Sequence, residues 1–177
     1  MAVAADTTIA VPKGRWRVDA DRSEVEFSVK HLLVARVSGR FTDFEGLLDV
    51  DPAGGTIASG SVRVASVDAG DAKRDESLRG PDFFDAERCP RISLHRGHAE
   101  TLGGSRFRVT GDLEIRGIRH PVELFARVEE IADERAELTV EGHLSRSAYG
   151  IESGQLLDVG ISDRVDVALK LSLLRSG

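Results

Sequence analysis

Between Arg106 and Arg116 the chain reads RFRVTGDLEIR. In an extended conformation this puts Phe107, Val109, Gly111, Leu113 and Ile115 on one side and charged or hydroxyl groups on the other. The same two-residue period recurs at Val25, Phe27 and Val29, at Val122, Leu124, Ala126 and Val128, at Leu138, Val140 and Leu144, and from Val165 to Leu173. Strands of this kind must each bury one face, and the chain has few helix-length patterns to bury them against. The alternation therefore predicts an all-β fold, a single eight-stranded antiparallel barrel with a dry interior, although an open sandwich satisfies the same pattern. A closed sheet with an apolar interior is either a packed core or a container for an apolar ligand.

Punctuation along the chain divides it further. Residues 1–13 read as a flexible N-terminal extension with Pro12 near its end, followed by a barrel domain over residues 14–177. Gly39 and Gly46 allow the sheet to bend, and Asp51, Pro52, Gly54 and Gly55 signal a turn. The run DAGDAKRDESLRGPDFFDAERCP is rich in charge and predicts a short helix near residues 72–79, stopped by Gly80 and Pro81 and lying over one end of the barrel. Phe125 breaks the inward alternation and is expected on the outside.

With 177 residues, one substantial core is a better fit than two small domains. A formal charge of -6 disfavours nucleic acid as a partner. No stretch approaches about 18 apolar residues, so stable membrane insertion is not expected. Cys89 is the only cysteine and cannot form an intrachain disulfide. The opening MAVAADTTIAVPKG lacks a positive start and a continuous apolar run, and together with the lone cysteine this leads to a cytoplasmic expectation. No nucleophile elbow, GxGxxG motif or Walker-type loop is present, and the five histidines lack convergent ligand spacing. The expectation is a protein that is not an enzyme and carries no metal or cofactor.

Three blocks carry a family resemblance. They are WRVDADRSEVEFSVKHLLVARVSGRFTDFEG, through Trp16, Asp19, Ser23, Phe27, His31, Gly39, Phe41, Phe44 and Gly46; SVDAGDAKRDESLRGPDFFDAERCPRISL, through Arg74, Asp75, Leu78, Asp82, Phe83, Phe84, Asp85 and Pro90; and GDLEIRGIRHPVEL, through Gly111, Leu113, Ile115, Gly117 and Pro121. In order and spacing, from about Trp16 to Leu173, the chain resembles the YceI-like family of polyisoprenoid-binding proteins with a lipocalin-like barrel. It departs from that pattern at Glu76-Ser77, where family members often have a histidine before the leucine. The resemblance implies a long cavity for an isoprenoid lipid, a polyprenyl phosphate or an isoprenoid quinone, bound for sequestration or transport. It also implies a homodimer.

On the alternation and the resemblance together, Phe27, Val29, Phe41, Val62, Val64, Phe107, Val109, Leu113, Val140, Val167 and Leu169 are expected to line that cavity; the competing arrangement has the same residues meeting across the centre. His31 either orients a headgroup or fixes its own loop. Arg36 and Arg40, with Lys30 nearby, are candidates for a phosphate, with Arg116, Arg119 and His120 as a second cluster. Phe83 and Phe84, bracketed by Asp82 and Asp85, form either a portal plug or a packed covering loop. Tyr149 either offers a hydroxyl at the opening or ends an irregular loop containing Gly150, Ser153 and Gly154. The competing functions are a filled barrel that serves as a structural or interaction module, and an enzyme acting on an isoprenoid headgroup.

Overall fold

The computed structural model describes residues 9–32, 35–51, 53, 55–151 and 160–177. The expected turn residues Pro52 and Gly54, the loop residues Ser153 and Gly154, and residues 1–8 of the expected extension lie outside that set. Eleven strands form one sheet: β1 (Gly14–Val18), β2 (Glu24–His31), β3 (Ala35–Phe41), β4 (Phe44–Asp51), β5 (Gly55–Arg63), β6 (Val67–Asp68), β7 (Arg91–Gly103), β8 (Arg106–Ile115), β9 (Ile118–Ile131), β10 (Arg135–Ser145) and β11 (Ile161–Ser176). A single short helix, α1 (Ala72–Arg79), joins β6 to β7.

The eleven strands make eight staves, because three staves are each interrupted once. β11 pairs antiparallel with β2 from Ile161 to Lys170 and with β1 from Leu173 to Ser176, so β1 and β2 are consecutive parts of one stave. The 3-10 turn Ala20–Arg22 separates them. At the break the Asp19 N–H donates to the Ser172 carbonyl at 2.8 Å, and the Ser172 N–H donates to Ser23 Oγ at 2.9 Å. One backbone bond and one side-chain bond thus replace the missing ladder bonds, as buried backbone groups require. β3 with β4 and β5 with β6 form the other two interrupted staves. Each stave pairs with its sequence neighbour and the last pairs with the first, which closes an up-and-down antiparallel barrel without exposed edges. The sandwich alternative is thereby set aside.

Curvature follows from the glycines at close approaches. Gly39 stands opposite Phe27 in the β2–β3 register, and a Cβ there would overlap the Phe27 ring. The missing side chain lets the aromatic lie across the strand. At the β8–β9 hairpin, Arg116 and Gly117 have φ values of 56° and 74°, the two positive values that a type I′ turn demands.

One end of the barrel is solid. Val11, Trp16, Val128, Ala136 and Leu173 form a buried cluster there, with Phe107 and Ile131 packed against it. Trp16 is fully buried, and its indole N–H donates to the Pro12 carbonyl at 2.9 Å. Val11 in this cluster brings part of the stretch expected as an extension into the packed region. The opposite end, where β8 finishes at Ile115 and β10 at Ser145, carries α1 and the segment that follows it.

Candidate functional site

An elongated cavity of about 1060 Å³ runs inside the barrel from the solid end to α1. Its wall is the inward face of the staves. Phe27, Val29 and Phe41 contribute from β2 and β3, Val62 from β5, Val109 and Leu113 from β8, Val140 from β10, and Val167 and Leu169 from β11. His31, Phe83, Phe84 and Tyr149 also line it, toward the α1 end. The staves, the segment after α1 and the turn at Tyr149 thus bring these thirteen residues, all expected from the sequence, around one space.

Four others lie elsewhere. Val64 is almost completely buried but falls in the 3-10 turn Val64–Ser66, where the strand alternation that orients Val62 has stopped. Phe107 sits where inward side chains from facing staves already meet, and it packs into the solid end. Arg36 and Arg40 occupy the outer face of β3. The Arg36 guanidinium donates to Ser28 Oγ at 2.6 Å and pairs with Asp166 at 3.3 Å, while Arg40 pairs with Asp68 at 3.3 Å. Neighbouring strand residues point to opposite faces, so Arg40 cannot share a face with Phe41. The same parity was available in the sequence.

The cavity's α1 end is covered rather than walled. Asp71 caps the helix by accepting from the Lys73 and Arg74 N–H groups at 2.9 and 3.1 Å, and Asp75 accepts from the Ala69 N–H at 2.7 Å. The helix has no buried residue, so the aromatics after it supply the attachment. Phe84 meets the Phe27 and Phe41 rings edge-on at centroid distances of 6.1 and 5.8 Å. The Phe83 carbonyl accepts from the Arg116 guanidinium at 2.7 Å. Phe83 and Phe84 therefore form a packed cover that also borders the cavity, joining the two roles considered for them.

Polar groups in the lining concentrate at this end. Lys73, Arg74 and Ser77 of α1 are exposed and border the cavity, and among the described residues the Arg74 side chain makes one 3.5 Å bond, to the Ala69 carbonyl. Sequence reasoning passed over Lys73 and Arg74 as binding residues; the signal was their place in the matched DAKRDESL block. Arg146 also lines the cavity, but its guanidinium is taken up by the carbonyls of Ser162, Ile151 and Ile161 at 3.0, 3.1 and 3.3 Å. Tyr149 is 2% exposed, and burial, with the charge of Asp112 as the smaller cause, raises its phenol above the ordinary value. Among the described residues no three His, Cys, Asp or Glu side chains gather as a metal site.

The YceI-like domain profile matches residues 16–173 of the chain. A UPF0312 protein of Staphylococcus aureus is 29% identical over 150 residues, covering 80% of this chain and 85% of the relative. The crystal structure of BcnA from Burkholderia cenocepacia superposes with a TM-score of 0.79 at 26% identity, over 88% of this chain and 98% of BcnA. A polyisoprenoid-binding domain from Saccharophagus degradans, implicated in plant cell wall breakdown, shares the fold with a TM-score of 0.76 at 18% identity, over 91% and 98% of the two chains. Proteins of this family are binding proteins rather than catalysts. They are characteristically periplasmic or secreted, which overturns the cytoplasmic expectation. That expectation rested in part on a lone cysteine, which does not bear on compartment, because a single thiol forms no intrachain disulfide in any redox environment. With the profile spanning nearly the whole barrel and the closed lipocalin-like architecture beneath it, the chain belongs to the YceI-like family.

Proposed function

We propose that this protein binds an isoprenoid lipid, with the tail in the barrel and the polar end beneath α1, and so sequesters or carries it through water. The observation that carries the reading is the apolar cavity of about 1060 Å³, plugged at one end by the Trp16 cluster. That volume is at the upper end of ordinary ligand sites and holds several five-carbon units. An isoprenoid tail offers methyl and methylene surface with few hydrogen bonds, matching walls made of Val, Leu and Phe. Burying about ten CH2 equivalents contributes roughly 8 kcal/mol before the costs of ordering and association are deducted. The fold shared with a polyisoprenoid-binding domain supports the same ligand class.

For a phosphate-bearing ligand, Lys73 and Arg74 are the better counterparts, since Arg36 and Arg40 are engaged with carboxylates on the outer face. The test is native mass spectrometry of gently purified protein from its own source, followed by lipid extraction. A retained isoprenoid is the expected result. Protein that is repeatedly ligand-free and takes up neither added menaquinone-4 nor geranylgeranyl phosphate would sink the reading and favour a protein-interaction module.

A further inference from the structure

Gly39 is buried and does not border the cavity, although Val37 and Phe41, its inward neighbours along β3, both do. The Phe27 ring stands in between. The two residues are register partners on β2 and β3, and a Cβ on Gly39 would overlap Phe27 Cζ and stand 2.8 and 3.1 Å from Cε1 and Cε2. These are all ring atoms, so the ring lies over the glycine, in the space that a side chain at this position would take. Phe27 in turn meets the Phe41 ring at 5.5 Å between centroids and the covering Phe84 ring at 6.1 Å.

Backbone freedom does not account for a glycine here. Gly39 lies inside β3 without a positive φ, so an alanine would strain no dihedral angle. A glycine within a strand weakens it and marks a close approach, and the group that approaches is the Phe27 ring. The β3 backbone lies behind that ring, and Phe41 and Phe84 lie against it, which leaves the lumen as its open side. A side chain in place of Gly39 would therefore drive the ring into the lumen. Such narrowing acts most on a methyl-branched chain, which is thicker than an unbranched chain of the same backbone length.

We propose that Gly39 is a positioning residue for the ligand: by letting the Phe27 ring lie against the wall, it keeps the barrel wide enough beneath the cover for a methyl-branched chain. It thereby sets the preference for isoprenoid over unbranched tails. This rests on the isoprenoid reading above and adds the residue that selects the tail.

The experiment measures binding of phytanol and 1-hexadecanol, which share a hydroxyl head and a backbone length and differ in the methyl branches of phytanol. Wild type should favour phytanol. Gly39→Ala should lower that preference by about tenfold or more, the scale of overpacking and of methyl discrimination in apolar pockets, while hexadecanol binding changes less than about threefold. Adding Phe27→Leu to Gly39→Ala should restore the preference to within about threefold of wild type, because the smaller side chain clears the lumen again. Phe27→Trp keeps Gly39, enlarges the ring and should lower the preference in the same sense, so the result does not hang on one variant folding. An unchanged preference in either folded single variant, or a loss that Phe27→Leu does not reverse, would overturn the proposal, since the glycine would then be serving the strand alone. If wild type binds hexadecanol but not phytanol, or binds neither, the isoprenoid reading itself fails and this inference fails with it.

Discussion

Asp163 holds the turn that presents Tyr149 to the cavity. Its carboxylate accepts from Ser145 Oγ at 2.6 Å and from the Ser147 N–H at 2.8 Å, and these bonds, the Ser145 one foremost, hold its pKa below the ordinary 3.8. A carboxyl with a depressed folded-state value stabilises the fold fully above its unfolded value and loses that contribution as pH falls through the folded value. Asp163→Asn should accordingly lower the melting temperature at pH 7, and its difference from wild type should shrink as pH falls below about 4. Thermal unfolding followed across that pH range tests this; a difference that persists unchanged in acid would remove the charge from the account. At this scale, strand parity made Phe27, Val109 and Leu169 legible as wall residues. The partners of Arg36 and Arg40 were not legible, because Asp166 and Asp68 reach them only through strand pairing.

The cover over the α1 end depends on attachments outside the helix. The helix itself was readable from its stop signals, and the observed Ala72–Arg79 agrees with the expected 72–79. Its docking was not readable, because Phe84 meets Phe27 and Phe41, and Phe83 meets Arg116, across long sequence separations. Arg116→Asn isolates the latter contact. It places a residue that tolerates positive φ before Gly117, preserving the hairpin turn, while removing the bond to the Phe83 carbonyl. The hairpin should stay folded, and dissociation of a bound isoprenoid should quicken by at least about threefold, on the scale of one charge-assisted hydrogen bond. Stopped-flow displacement measures that rate, and an unchanged rate would mean that the cover does not limit exit.

For the molecule as a whole, stability and capacity are assigned to opposite ends. Trp16 is fully enclosed at the solid end, with the Arg175 guanidinium 5.2 Å from its ring centre. Arg135 adds a partly buried ion pair to Asp19 at 3.1 Å. Trp16→Ala should cost about 3–5 kcal/mol in urea unfolding, as large-to-small changes in packed cores do. A cost below about 1 kcal/mol would mean that the solid end is not where the barrel is held. The sequence by itself determined an all-β sheet with one dry face, because a period of two repeated through the chain leaves a face that must be buried, while strand pairing decided that the sheet closes on itself instead of packing as a sandwich. Only the tertiary structure decided whether that dry face is filled or hollow. Alternation states which way a side chain points but not how far it stands from the one opposite, and that distance makes Phe107 part of the plug and Val109 part of the cavity wall.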